Sequence, residues 1–482
     1  MSGVIAYGTY LPYHRLDRRR IKEVLGAGGG KGTRAVASYD EDTTSMGVEA
    51  ARLALAGVSD RGIVAQLLFA SANPAYADKT NATAIHAALS LPSETLALDL
   101  TGAVRSGVGA LLLAGQSPVP TLAVLSDVRT GLPGGADERD GGDGAAAFLF
   151  GDDSTQPVLA EVIASASATE EFLERWRTPG AGASRVWEDR FGEEAYVPLV
   201  EAAFADVLKQ ASIAAGQIDH LVVSGLHARA VKRAVKITGV NAEAVADDLV
   251  AQVGNSGTAQ AGILLADVLD RAEADQYVLV LVLADGVTAL LLRTTPALVA
   301  GRPSRSTRSQ VGAGNSALDY ATFLSWRGLL DREPPRRPDP ESPASPPALR
   351  RLDWKFGFIA ARCTQCGTRS LPPDRVCRSC HSIDQTVPEP LADVAGTTAT
   401  YTVDHLAFTP NPPVLVVVVD FDGGGRLRCQ LTDAAPDEVA IGLRVEMTFR
   451  RLITADGVHN YFWKARPVRD EAGVPVVADR RP

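Results

Sequence analysis

Thr121-Leu-Ala-Val-Leu-Ser-Asp127, followed by Asp143-Gly-Ala-Ala-Ala-Phe-Leu-Phe150, has an echo later in the chain, where residues 277–284 lead into Asp285-Gly-Val-Thr-Ala-Leu-Leu-Leu292. Each member is a short β-rich run, so each pair reads as two neighbouring strands. Asp99-Leu-Thr-Gly-Ala-Val-Arg-Ser-Gly-Val-Gly-Ala-Leu-Leu-Leu113 is answered in the same way by Val253-Gly-Asn-Ser-Gly-Thr-Ala-Gln-Ala-Gly-Ile-Leu-Leu265. Two similar halves, each ending in a strand pair, imply a duplicated α/β core. Around these landmarks, residues 1–300 alternate β-rich runs, at 66–70 and 221–224, with alanine-rich helical stretches, the pattern of layered α/β structure.

The chain extends well beyond that core. Its 482 residues, 46% hydrophobic and 22% charged, can bury more than one core, and a prior of about 150 residues per domain allows roughly three units. A net charge of -9 opposes binding to a phosphate backbone, so no nucleic-acid partner is expected. No apolar run approaches the roughly 20 residues of a membrane span, and residues 1–6 run straight into strand-like sequence, which together predict a cytoplasmic protein without a membrane partner. Seven prolines within residues 334–347 make a stiff, exposed connector. Just before it, Tyr320, Phe323, Leu324, Trp326, Leu329 and Leu330 recur at helical spacing, predicting a short docking helix. The partition is a core at 1–300, a docking helix and linker at 301–348, a ribbon at 349–385 and a β-rich barrel at 386–482.

The ribbon rests on Cys363, Cys366, Cys377 and Cys380, two Cys-x-x-Cys knuckles ten residues apart. That spacing lets two tight turns present four thiolates tetrahedrally to one zinc ion. Two disulfides would need an oxidising compartment. Four cysteine ligands leave no open position for water or substrate, so the zinc is expected to be structural.

Thr33-Arg-Ala-Val-Ala-Ser-Tyr-Asp-Glu-Asp-Thr-Thr-Ser-Met-Gly-Val-Glu-Ala-Ala51, Gly142-Asp-Gly-Ala-Ala-Ala147 and Gly254-Asn-Ser-Gly257 resemble motifs of 3-hydroxy-3-methylglutaryl-CoA synthase. The resemblance covers residues 1–295 and implies the thiolase fold, two βαβαβαββ halves in five layers, normally as a dimer. Residues 318–470 resemble a second family, the zinc-ribbon and OB-fold proteins (domain of unknown function 35) that accompany thiolases in acyl-CoA pathways. Tyr320-Ala-Thr-Phe-Leu-Ser-Trp-Arg-Gly328, the knuckles, Gly425-Arg-Leu-Arg-Cys-Gln-Leu-Thr-Asp433 and Ile441-Gly-Leu-Arg-Val-Glu-Met447 carry that likeness. It implies a rubredoxin-like ribbon followed by a small all-β barrel.

Thiolase-type condensation needs a cysteine at a buried helix N-terminus, where the dipole favours the thiolate. The synthase resemblance places that nucleophile at Val104, the general acid/base glutamate at Ala72, and the carbonyl-polarising histidine at Ser224, with His227 a substitute three residues on. Only Asn255 is retained. Cys429, the one cysteine outside the knuckles, lies far along the chain. The resemblance therefore implies a pseudoenzyme: a non-catalytic synthase-like subunit that binds acyl-CoA and scaffolds a thiolase in a carbon–carbon bond-forming or cleaving complex, as a homodimer within a hetero-oligomer. The rival reading keeps acyl-CoA as substrate and has the chain itself condense or cleave it, retro-aldol fashion, by non-cysteine chemistry. Lys232, Arg233, Lys236, Arg362 and Arg378 are candidates to meet the CoA phosphates.

Other features have plainer readings. Asp40-Glu-Asp42 precedes an alanine-rich helix and reads as N-terminal capping and dipole compensation. Asp137-Glu-Arg-Asp140 with Asp143 reads as a solvated turn. Tyr461-Phe462-Trp463 reads as barrel-core packing.

Overall fold

The computed structural model describes residues 2–333, 336, 341–470 and 473–478, so part of the proline-rich connector lies outside the described residues. The chain divides into two compact units. One comprises Met1–Ala37, Asp42–Thr83 and Leu91–Tyr320; the other comprises Ser38–Glu41, Ala84–Ser90 and Ala321–Pro482.

The first unit is organised by strands β1 (Gly3–Tyr10), β2 (Gln66–Ser71), β3 (Leu96–Thr101), β4 (Thr121–Val128), β5 (Asp143–Gly151), β6 (Ala160–Ala168), β7 (His220–Gly225), β8 (Tyr277–Leu283) and β9 (Val287–Thr294). They form one sheet in the order β7-β8-β9-β6-β1-β5-β4-β2-β3. The repeat is written into that order. Numbered from its own start, the first half runs 3-2-4-5-1 and the second 2-4-5-1, and the two leading strands, β1 and β6, pair antiparallel through Gly3–Glu161 and Val4–Ala160. The second half's counterpart of β3 is reduced to a bridge between Leu221 and Val245. The strand pairs expected from the echo are both antiparallel, with Val124 opposite Ala147 and Val280 opposite Leu290.

The longest helices of this unit are α1 (Thr43–Ala54), α2 (Arg105–Gly115), α3 (Asp189–Ala211), α4 (Ala228–Thr238) and α5 (Gln260–Leu269). Every residue of α5 is buried, which suits a helix with no solvent face. Leu264 and Val268 of α5 share one core with Val108 and Leu111 of α2 and with strands of both halves. α1 packs on the first half's strands, and α3 and α4 pack on the second's. This is a mixed α/β arrangement in which helices pack on the strands of both halves. Gly107 permits the close inner packing, since a Cβ there would lie 2.1 Å from the Thr258 carbonyl oxygen.

α1 begins with a reciprocal cap. Asp42 accepts from the Ser45 amide at 2.8 Å, and Ser45 Oγ accepts from the Asp42 amide at 2.9 Å. The turn read as solvated is not so. Asp143 is fully buried, accepting from the Ala37 amide at 2.7 Å and the Arg129 amide at 2.9 Å, and Glu138 is buried against the Tyr320 hydroxyl at 3.0 Å. Backbone donors and Arg34 offset the cost of burying Asp143.

The second unit contains most of the docking helix α6 (Tyr320–Trp326), a three-stranded ribbon of β10 (Ile359–Cys363), β11 (Arg369–Ser370) and β12 (Thr386–Pro390), and a closed barrel. The barrel strands are β13 (Gly396–Asp404), β14 (Val414–Phe421), β15 (Arg426–Leu431), β16 (Arg444–Ala455) and β17 (Val458–Pro467), in the order β13-β14-β15-β17-β16. This is the OB-type barrel. Along β14 the burial alternates residue by residue, as a strand with one face on the core requires. Tyr461 and Trp463 fill the core against Phe449, and the Trp463 indole donates to the Phe356 carbonyl at 2.8 Å.

The same unit buries a set of charges. Lys464 Nζ lies 2.8 Å from Asp40, and the Arg450 guanidinium contacts Glu41 and lies 2.6 Å from Asp433. Burial pushes the Asp40 carboxyl up, but Lys464 and Arg450 outweigh it and hold the group below the usual carboxylate range. The capping reading of residues 40–42 is therefore corrected. Asp42 alone caps the helix, while Asp40 and Glu41 neutralise two buried cations.

Candidate functional site

At the N-terminus of α2 the first unit opens a cleft of about 650 Å³. Val104 occupies the N-cap position of α2 and lines this cleft with Gly102, Ala103 and Ala72. The helix thus presents its positive end where the resemblance puts the nucleophile, but with a valine side chain. Ala72 follows the last residue of β2, and its carbonyl accepts from Arg177 Nη2 at 2.6 Å. Neither Val104 nor Ala72 can bond covalently to an acyl group or transfer a proton.

A second cleft, of about 870 Å³, shares Arg175 and Leu226 with the first. Ser224, near the end of β7, and Asn255 both line it, together with Arg129, Asp140 and Lys232. The structure therefore puts Val104 and Ala72 in one cleft, and Ser224 and Asn255 in its neighbour. Asn255 is engaged by the backbone on both sides of its amide: Nδ2 donates to Gly225 O and Oδ1 accepts from Gly257 N, each at 2.9 Å. Gly257, at φ +53°, takes the left-handed backbone that this turn requires.

His227 lines neither of these clefts. It is the buried N-cap of α4, where Nδ1 accepts from the Ala230 amide at 3.1 Å, which leaves Nε2 as the outward edge of the ring. That edge faces Gly192, where a Cβ would lie 2.8 Å from His227 Nε2 and 2.9 Å from Glu174 Cγ.

Glu174, Tyr196 and Asp285 are lining residues of the first cleft that motif reading passed over. Glu174 belongs to Glu170-Glu-Phe-Leu-Glu-Arg-Trp-Arg177, a charged and aromatic run that follows the second half's leading strand. Its position outside the repeat hid it, although such a run beside a core strand is itself a signal. Tyr196 Oη donates to Glu174 Oε2 at 3.3 Å. Burial pushes the Glu174 carboxyl above its ordinary value against the pull of His227 and Arg175, and burial likewise raises Tyr196 and Asp285.

In the second unit the four knuckle sulfurs lie within 4.8 Å of one another. Cys363–Cys380 and Cys366–Cys377 are 3.6 and 3.5 Å apart. A tetrahedron of thiolates about 2.3 Å from a metal has edges of about 3.8 Å, so the donor set fits one closed four-sulfur site. The Ser382 hydroxyl, 3.4 Å from Cys363 Sγ, favours the thiolate and draws Cys363 down to about 6. Cys429, by contrast, is pushed up to about 12 by burial.

The candidate phosphate-binding cations fall into two groups. Lys232, Arg233 and Lys236 are exposed along α4, and Lys232 reaches the second cleft. Arg362 and Arg378 belong to the ribbon, where they pair with Glu389 at 3.1 Å and Asp374 at 2.7 Å.

Comparison with known proteins supports both parts of this description. Residues 389–450 match the family of ChsH2 C-terminal OB-fold domains. The chain is 29% identical over 345 residues to a hydroxymethylglutaryl-CoA synthase from Aeropyrum pernix, covering 68% of this chain and 95% of that protein. It is 29% identical over 351 residues to the corresponding synthase from Archaeoglobus fulgidus, covering 68% and 98%. Among solved structures, the HMG-CoA synthase PksG from Bacillus subtilis superposes with a TM-score of 0.57 at 18% identity, covering 68% of this chain and 89% of that one. MvaS in complex with 3-hydroxy-3-methylglutaryl coenzyme A gives a TM-score of 0.56 at 18% identity, covering 71% and 94%. The chain joins a region similar to hydroxymethylglutaryl-CoA synthases, with a thiolase-like fold, to a C-terminal OB-fold domain that matches the ChsH2 family.

Proposed function

We propose that this chain is a synthase-like subunit that binds an acyl-CoA thioester and scaffolds a thiolase partner in a complex that forms or cleaves carbon–carbon bonds, without carrying an acyl-cysteine itself. One observation carries the reading: Val104 stands at the helix N-terminus where an acyl-accepting thiolate is required, with Ala72 across the same cleft. Exposed Lys232, Arg233 and Lys236 suit the phosphates of CoA, and Arg362 and Arg378 are further candidates. The four cysteines suit a structural zinc ion that would pin the ribbon and supply no reactive position. A homodimer within a cytoplasmic hetero-oligomer completes the proposal.

The test is purification of the tagged chain from its own cells, with mass spectrometry of co-purifying proteins and of the chain after exposure to acetyl-CoA. A stoichiometric thiolase-fold partner and no acyl adduct are expected. Recovery of the chain only as its own oligomer would overturn the scaffold. A second reading, in which the chain itself turns over an acyl thioester, is favoured by Glu174 and Tyr196 in the cleft that lacks the cysteine.

A further inference from the structure

The first cleft has lost one set of reactive groups and holds another. Glu174 reaches it from the segment before α3, Tyr196 from α3 and Asp285 from the turn between β8 and β9. Among the described residues the Glu174 carboxylate accepts a single hydrogen bond, from Tyr196. Asp143 makes the contrast clear. That structural carboxylate has both oxygens filled by Arg34 and the amides of Ala37 and Arg129, and it lines neither cleft. Glu174 is 7% exposed, buried but on the cleft wall, and keeps acceptor capacity free there, an arrangement suited to proton transfer.

We propose that Glu174 is a catalytic base, one that removes a proton from the α-carbon of an acyl thioester held non-covalently in this cleft, with Tyr196 and His227 as positioning residues. The balance is simple. The α-carbon–hydrogen bond breaks, its electron pair becomes the enolate π bond, the proton joins a Glu174 carboxylate oxygen, and the carbon–sulfur bond stays intact. Return of the proton regenerates the thioester, so no oxidant, reductant or acyl-enzyme is needed. Tyr196 fixes the carboxylate from one side through its hydroxyl, and its own phenol stays protonated because burial and Glu174 both raise it. His227 acts on it by charge, since its pull lowers the Glu174 carboxyl, and the two side chains share the space that Gly192 leaves by having no side chain. The positive end of α2 lies on the same cleft as the developing enolate oxygen. This inference rests on the acyl-CoA-binding reading above and is independent of the thiolase partner.

The experiment uses the full chain with acetyl-CoA in deuterium oxide. Binding is followed by calorimetry, and deuterium incorporation into the acetyl group by mass spectrometry. Protein-dependent exchange is expected, falling about 100-fold or more in Glu174→Gln while acetyl-CoA affinity is kept, as removal of a general base requires. Tyr196→Phe supplies a readout that mere support of the fold would not move. His227, Arg175 and Asp285 also face the carboxylate, but the phenol hydrogen bond favours its charged form, so its loss moves the acid limb of the exchange profile to higher pH. Bound acetyl-CoA without exchange, exchange that survives Glu174→Gln, or an unmoved limb in Tyr196→Phe would each overturn the assignment and leave the binding reading standing. No binding at all would overturn both.

Discussion

Arg34 and Asp143 form an ion pair at 3.3 Å with both side chains entirely removed from solvent. Arg34 lies in the stretch that opens the synthase-like motif, and Asp143 begins β5. The pair ties that stretch to the central sheet. Asp143→Asn keeps the shape but strands a buried guanidinium, and it is expected to destabilise the first unit by about 3–5 kcal/mol. Urea unfolding monitored by circular dichroism measures this, with exposed Glu273→Gln as a near-neutral comparison.

A second prediction concerns acid. The Asp40 carboxyl is held below its ordinary value by Lys464 and Arg450, against the upward push of burial. A depressed native pKa gives stability that is fully present above the unfolded value of about 4 and is lost as pH falls through the folded value. The second unit is therefore expected to hold constant stability from neutral pH down to about 4 and to lose it below that. Lys464→Met should remove the plateau and destabilise the unit at neutral pH. Near-ultraviolet circular dichroism of the Trp463 environment, recorded against pH, checks both.

The knuckles predict one zinc ion per chain. Elemental analysis should find it, and removal with a strong chelator should lower the melting temperature and raise thiol-reagent titration by four groups, matching Cys363, Cys366, Cys377 and Cys380. Cys366→Ser should bind zinc more weakly. A metal-free protein whose four sulfurs do not react with a thiol reagent would instead indicate disulfides.

Placing a thiol where the resemblance puts the nucleophile makes a fourth test. Val104→Cys places sulfur at the N-cap of an eleven-residue helix, where the dipole lowers thiol pKa. It should alkylate with iodoacetamide well ahead of Cys429, whose thiol burial has pushed up to about 12. Peptide mapping after a brief exposure distinguishes the two sites.

Much of this architecture was legible because repetition and spacing are local properties of a chain. The paired echoes gave the antiparallel partners in both halves, and two Cys-x-x-Cys knuckles gave a four-sulfur cluster. What stayed hidden was assembled by tertiary structure. Asp143 and Glu138 read as surface charges because their counterparts, Arg34 and Tyr320, stand more than a hundred residues away. Asp40 and Glu41 read as part of a cap because nothing nearby in sequence announces Arg450 or Lys464. Glu174 and Tyr196 lie outside both repeat halves' matching segments, so no motif count reaches them. Electrostatic partners at long separation leave no periodic trace.

The placement of Ser38–Glu41 within the second unit bears on how such a gene could be divided. A cut at the proline-rich connector would look clean on paper, yet the downstream product would carry Arg450 and Lys464 without Asp40 and Glu41. Two separately encoded proteins could replace this one only if the downstream piece acquired new anions or lost those cations. The fusion is thus held in place by four residues near its beginning, and a downstream fragment expressed alone should prove unstable unless supplied with a peptide spanning them.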